Sequence, residues 1–397
     1  MTAPLAPTLL RVVDDLVPEL IAFRRDLHQH PELSFAEHRT TERLRGRLEA
    51  AGLETVDVGA TGVVVDLGAA KPRRRVAVRG DIDALPIRER TGLDWASTTD
   101  GVSHACGHDV HTTVVLGAGL ALSTVADELA ERGVGVRLVF QPAEESMPGG
   151  AEHLVDLGVM RGVDVAYAVH CDPGVDVGEV GLKEGPLTAA ADRVQVTLAG
   201  RGGHTSRPHL SEDLTFALAK LVTEVPAILS RRLDPRSGVA LVWGQIHAGG
   251  AANVIPSTGV AEGTLRMLDP SVWDGMEELV RAVVRDVIEP YGVRARVDYV
   301  RGVPPVDNDP SAVAALGRAA MTAGLRPVST PQSLGGEDFG WLINESGGAM
   351  ARLGTRTPGG TTYDLHQGDL VVDEAAVRAG TALLALAAAG EWTRVED

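Results

Sequence analysis

Sulfur and aromatic rings are both scarce in this chain. Two cysteines, Cys106 and Cys171, in 397 residues cannot build a disulfide framework, and a large chain so poor in thiols is expected in a reducing compartment, the cytoplasm. Phe, Trp and Tyr together make up 4%. Ala, Val and Leu must therefore do most of the packing, and a nucleic-acid binder that stacks bases on rings is disfavoured. Basic residues are outnumbered, with 37 Lys and Arg against 54 Asp and Glu. The resulting charge of −17 repels phosphate backbones and anionic membranes, so neither is expected as a partner. Long apolar runs are also missing. The longest, near Leu383 to Ala389, is far too short to span a bilayer. The first residues, MTAPLAPTLLRVVDDLVPEL, lack a basic segment followed by a clean apolar stretch, so no signal peptide is expected.

What is present is length, 44% hydrophobic residues and a change of pattern part-way along. A chain this long suits two domains better than one core. Helical spacing of apolar residues runs from about Val12 to Asp26, and a second helix follows His38. Short β-branched runs follow at Gly62–Leu67, Arg75–Arg79, Val136–Phe140 and Val163–Val169. Between them Val110–Ala130 reads as one long buried helix. Strands alternating with helices predict an α/β domain whose sheet is mostly parallel. Past Gly185-Pro186 the order becomes strand (Arg193–Ala199), helix (Glu212–Leu229), strand (Gly238–His247), strand (Gly259–Leu268), helix (Val272–Glu289), strand (Ala295–Arg301). That β-α-β-β-α-β order predicts a ferredoxin-like α+β domain inserted into the first. The expected division is 1–186 and 303–397 for the α/β domain and 187–302 for the insertion.

Chemistry gathers where predicted strands end. The three segments are Arg79-Gly-Asp81-Ile-Asp83, Phe140-Gln-Pro-Ala-Glu144-Glu145 and Val169-His170-Cys171-Asp172. In open α/β sheets functional groups collect beyond the carboxyl ends of strands. A fourth segment, His104-Ala-Cys106-Gly-His108-Asp109-Val-His111, crowds thiol, imidazole and carboxylate before an apolar helix. Those donors together suit zinc or another divalent transition ion, although a polar loop capping a helix is the plainer reading. Side chains of adjacent residues diverge, so one of Glu144 and Glu145 can bind metal while the other faces substrate. His366, in Leu365-His366-Gln-Gly, is by itself more often structural than a ligand, and so are His28, His30 and His38.

Taken together these segments resemble the M20 metallopeptidase superfamily, in its amidohydrolase branch of hippurate hydrolases, aminoacylases and auxin-conjugate hydrolases. The resemblance runs from Arg24-Arg-Asp-Leu-His-Gln-His-Pro-Glu32 through Asp81-Ile-Asp-Ala-Leu-Pro86, the Cys106 segment, Gln141-Pro-Ala-Glu-Glu145 and Gly202-Gly-His204. It continues through Asn253-Val-Ile-Pro256, Gly263-Thr-Leu-Arg266 and Gly336-Glu-Asp-Phe339 to Leu365-His366. Gly80 and Ser103 depart from its usual pattern but remove no ligand. The resemblance implies a zinc-peptidase-like catalytic domain, with the insertion as lid and dimerisation domain, and therefore a homodimer. It implies two divalent metals, Mn or Zn with Co possible, held by Cys106, His108, Glu145, His170 and His366. It further implies Glu144 as general base and Asp83 as the acid that orients a ligand histidine. His204, Asn253 and Arg266 match substrate-facing positions, and His111 either lines the site or packs beneath it. The expected reaction is hydrolysis of N-acyl amino acids. The rival readings are a dipeptidase or aminopeptidase of the same superfamily, a thiol hydrolase using Cys106, and a scaffold that binds acylated ligands without turnover.

Overall fold

The computed structural model describes residues 4–147 and 149–390. From the amino terminus, α1 (Ala6–Gln29) buries Leu9, Val13, Leu20, Phe23 and Leu27 along one stripe, the spacing of a surface helix facing a core. After α2 (His38–Ala50) come β1 (Val56–Asp57), β2 (Val63–Gly68) and β3 (Arg74–Asp81). The helix α3 (His108–Ser123) is buried on every side from His108 to Leu122. Its expected extension to Ala130 is instead a separate helix, α4 (Ala126–Glu131). The break has a local cause. The Ser123 and Thr124 hydroxyls donate to the carbonyls of Leu120 and Ala121 at 2.8 and 2.7 Å, so the helix end is satisfied and the chain can leave the axis at Val125. Then follow β4 (Val134–Gln141), α5 (Gly150–Asp156), β5 (Val165–Asp176) and β6 (Glu179–Leu182).

The next stretch holds β7 (Ala190–Ala199), α6 (Leu214–Arg232), β8 (Ala240–Ala248), β9 (Thr258–Met267), α7 (Met276–Ile288) and β10 (Arg294–Val303). The chain ends with α8 (Pro310–Thr322), β11 (Arg326–Ser329), α9 (Phe339–Ser346), β12 (Gly348–Arg356) and α10 (Ala375–Ala389). The chain divides into two compact units. The first takes residues up to Leu187, Val306–Pro331 and those from Asp338 onward; the second takes Thr188–Pro305 and Gln332–Glu337.

In the first unit the sheet order is β1-β2-β4-β3-β5-β12-β6-β11. Its central strands β4, β3, β5 and β12 are mutually parallel, the expected α/β arrangement. Helices α1, α3 and α10 pack closely because glycine permits it. A Cβ on Gly117 of α3 would lie 2.6 Å from Leu20 Cδ1 and 2.8 Å from Thr381 Cγ2. The core is Ala, Val and Leu almost throughout, as the shortage of aromatics requires.

The second unit has the antiparallel order β8-β9-β7-β10 with the β-α-β-β-α-β sequence of a ferredoxin-like domain. Alternate residues of β9 are buried, and α7 buries Met276, Val280, Val283, Val284 and Ile288. The helix starts at Met276 rather than Val272, because Asp269 caps a separate short turn over Pro270–Val272 by accepting the Ser271 N–H. Among the described residues no helix is long and apolar enough to cross a membrane.

Candidate metal centre

The first unit gathers its chemistry at the carboxyl side of the parallel strands. β3 runs into Asp83, β4 into Glu144 and Glu145, and β5 carries His170. The loop before α3 must turn sharply to bring Cys106 and His108 to the same place. Gly107 makes that turn at φ 87°, and a Cβ there would lie 2.8 Å from the Cys171 sulfur, so only glycine fits.

Five groups of metal-type donors result among the described residues, and two of them share Cys106. Cys106, His108 and His170 form one, and Cys106, Glu145 and His366 form the other, with donor atoms in each within 4.8 Å of one another. Cys106 Sγ lies 3.6 Å from His170 Nε2, and His366 Nε2 lies 3.1 Å from Glu145 Oε1. Donors held at zinc–sulfur and zinc–nitrogen bond lengths around one tetrahedral ion would stand about 3.3–3.8 Å apart. His108 supplies a second sign of fit. Its Nδ1 is held by the Asp83 carbonyl at 3.0 Å and the Asp83 carboxylate at 3.1 Å, whereas its Nε2 is buried with no hydrogen-bond partner among the described residues. A buried imidazole nitrogen left unpaired is costly unless a cation takes its lone pair.

Two unusual backbones flank the cluster. Ala143 and His366 have φ of 55° and 59°, a region most side chains avoid. Ala143 N–H donates to Glu37 at 2.8 Å and Ala143 C=O accepts from Gly150 at 2.9 Å, which pins the turn just before Glu144. His366 N–H donates to Ala105 C=O at 2.8 Å, tying the distant C-terminal loop to the Cys106 loop. Glu144 is nearly buried, with a carboxylate oxygen 3.8 Å from His108 Nε2. Asp83 makes further contacts, accepting from the Ser34 hydroxyl at 2.7 Å and from Glu145 N–H at 3.0 Å. It thus fixes one candidate ligand by its ring and another by its backbone.

The electrostatics divide the cluster, raising three of its groups and lowering one. Hydrogen bonds to Cys106 and then Glu145 push His366 up to about 10. Burial lowers His108, but Asp81, Cys106 and Asp83 outweigh it and hold it well above the usual imidazole range. Burial pushes the Cys106 thiol up, and burial followed by Arg352 drives His170 down. A bound cation reverses this balance by favouring thiolate and neutral imidazole.

The remaining expected site residues are distributed as follows. His111 is fully buried; its Nδ1 meets Asp81 Oδ1 at 2.7 Å and its Nε2 accepts Cys171 N–H at 2.8 Å. Both ring nitrogens are taken, so its geometry is that of a residue packed beneath the site rather than one touching substrate. Cys171 is fully buried. His204 and Asn253 come together in the second unit, where His204 pairs with Val254 and Thr205 N–H donates to Asn253 C=O. Arg266, on β9, donates to the Leu334 carbonyl at 2.6 Å.

Sequence reading missed two buried networks. Arg79, 1% exposed, donates to Asp81, Asp338 and Gln141, each at 2.8 Å. Asp109, at the start of α3, accepts from Arg24 Nε at 2.6 Å and His28 Nδ1 at 2.9 Å. A charged Arg79 inside the apolar run Val76-Ala-Val-Arg was the available signal for the first.

The profile of peptidase family M20/M25/M40 matches residues 77–389. The chain belongs to this family. As an M20 member it is an amidohydrolase with a metal-binding site. It is 44% identical over 96% of its length to a Rhodococcus jostii protein provisionally named glutamate–cysteine ligase 2-3, but spans only 47% of that protein. It is 37% identical over 91% of its length to the N-acetyl-L-cysteine deacetylase of Bacillus subtilis, covering 85% of it. Among solved M20 structures, the Bacillus subtilis YXEP protein, described as a dinuclear metal-binding peptidase, superposes with TM-score 0.82. The two share 33% identity over 95% of this chain and 98% of that one.

Proposed function

We propose that this M20 member hydrolyses the amide bond of N-acyl amino acids, releasing a carboxylate and a free amino acid. The observation that carries the reading is the shared thiol: Cys106 belongs both to the group with His108 and His170 and to the group with Glu145 and His366, with Glu144 beside these two and in neither. The naming of the Bacillus subtilis relative as an N-acetyl-L-cysteine deacetylase supports the substrate class. Cys106, His108, Glu145, His170 and His366 would hold two divalent ions, Mn²⁺ or Zn²⁺ with Co²⁺ compatible, for which thiolate, imidazole and carboxylate are suitable donors. When bound, such ions supply Lewis acidity that polarises a carbonyl and acidifies water.

The chain's own residues account for the rest. Glu144 takes a proton from the attacking water, whose oxygen bonds to the acyl carbon. It later passes that proton to the amide nitrogen as the C–N bond breaks. Asp83 keeps His108 in the tautomer and orientation a ligand needs. His204 accepts the Ser206 N–H at Nδ1, so its neutral ring carries the proton on Nε2, a donor suited to an oxyanion. Asn253 and the Arg266 fork suit the carboxylate of the amino-acid half.

Glu144→Gln should keep its metal and lose roughly 10²–10⁴-fold in kcat, the scale of a missing general base. His366→Ala should lose metal, read by elemental analysis. Near-normal turnover by the first, or full occupancy in the second, would remove that residue from its role. Faster cleavage of free dipeptides than of N-acetyl amino acids would favour the peptidase reading, and activity surviving chelation would favour a Cys106 nucleophile.

We also propose a homodimer formed through the second unit. Among the described residues strand β8 is an edge of its sheet, and Val242 and Ile246 on it are exposed at 66% and 49%. Open apolar edges invite pairing with a second copy. Val242→Lys with Ile246→Lys should convert a dimer to a monomer in light scattering. A wild-type monomer at micromolar concentration would sink the idea.

A further inference from the structure

The parallel pairing of β3 with β5 stops at Arg79 and Ala168. Beyond it, the Cys171 N–H meets the ring of His111 instead of a strand, at 2.8 Å. A backbone N–H can only donate, so His111 Nε2 is the acceptor and the ring proton sits on Nδ1, directed at Asp81. Asp81 is held in turn by Arg79, and Arg79 by Asp338 and Gln141. On the other side of the Cys171 Cα, the Cys171 carbonyl accepts from His170 Nδ1 at 2.8 Å. That bond fixes the His170 ring so that Nε2 points at Cys106 Sγ. One residue's backbone is therefore clamped on both sides, by His111 at its N–H and by His170 at its carbonyl.

We propose that His111 is a positioning residue for the His170 half of the metal centre. It acts through the Cys171 backbone and touches neither substrate nor ion. The idea rests on the reading of His170 as a ligand. It explains why a histidine stands where both ring nitrogens are already taken: the position needs an acceptor at the Nε2 end and a donor at the Nδ1 end, separated by an imidazole. The Arg79, Asp81 and Asp338 charges behind it sum to one buried negative charge, which favours a cation at the centre.

Two substitutions separate the ends of the ring. His111→Gln keeps an acceptor near the Nε2 position; His111→Asn keeps a donor near the Nδ1 position and cannot reach Cys171. Metal affinity is measured by chelator competition on the holoenzyme, with folding checked by circular dichroism and His170→Ala as reference. The Asn variant should bind the ion that His170→Ala loses roughly 10–100-fold more weakly than wild type, the usual effect of removing an outer partner of a ligand. The Gln variant should bind it nearly as well as wild type. Equal losses in both, or none in either, would overturn the proposal. Full occupancy in His170→Ala would overturn the ligand reading beneath it. In the wild-type holoenzyme, the Cys171 amide nitrogen should show a through-hydrogen-bond coupling to His111 Nε2. Absence of that coupling overturns the proposal even if no variant folds.

Discussion

Asp109 shows how much one buried carboxylate can carry. It sits fully buried in the first turn of α3, where the helix dipole favours an anion, and is held by Arg24 and His28. Burial alone would raise its pKa, but the charges of Arg24 and His28 drive it far below the usual carboxylate range. Its folded value is depressed, so its contribution to stability is present above about pH 4, the unfolded value, and is lost as pH falls through the folded one. His28 has the opposite sign. Burial lowers it, yet Asp109 and Glu89 raise it overall, so its contribution is complete below about pH 6.5 and fades as pH rises through its folded value. Asp109→Asn removes the nearest anion from two buried basic groups, leaving Arg24 with Glu374 at 3.5 Å and His28 with Glu89 at 3.2 Å, and should cost about 3–5 kcal/mol. Thermal melts across pH should show a lower Tm and a flatter acid limb than wild type. An unchanged acid limb would mean that this network does not set the acid stability. None of it was legible in the sequence. Asp109 read as a ligand or cap and His28 as an ordinary helix residue, because contacts across 81 and 85 positions leave no local pattern.

Elements were easier to read than partners. The alternation of β9 and the amphipathic stripe of α7 follow from local spacing, and so did the β-α-β-β-α-β order of the second unit. The errors fell at helix ends, at Thr124 and Met276, where hydroxyl and carboxylate side chains decide the outcome within a few residues. The Ala143 turn lay outside any periodicity. Nothing in Gln-Pro-Ala-Glu-Glu announces a positive φ, although it aims Glu144. That backbone costs about 1–2 kcal/mol for a residue with a Cβ. Ala143→Gly should relieve the strain while gaining unfolded-state entropy, leaving stability within about 1 kcal/mol of wild type. Freed of its constraint, Glu144 should lose position and kcat fall roughly 10–100-fold with metal retained. A variant that is both fully active and equally stable would show that the turn's strain has no part in catalysis.

At the scale of the whole molecule, the candidate ligands come from positions 106 to 366, yet all belong to one unit. Thr188–Pro305 with Gln332–Glu337 forms a second compact unit with its own buried set, including Leu218, Leu221, Ala261, Leu265, Val280 and Val284. Ions held by the five proposed ligands would therefore stabilise the first unit alone. A ligand bound only by the folded state adds about 2.7 kcal/mol when its free concentration is 100 times its dissociation constant. The first unit's gain should be at least of this order, because five side chains separated by long loops are ordered together. Differential scanning calorimetry of the metal-loaded chain should resolve two transitions, and a chelator should lower one of them while leaving the other in place. The isolated second unit, 188–305 joined to 332–337 by a flexible linker, should melt at the temperature of the unmoved transition. A single transition that shifts as a whole would mean that the two units unfold as one and that metal stabilises both. That result would leave the ligand assignments standing and remove the independence of the inserted unit.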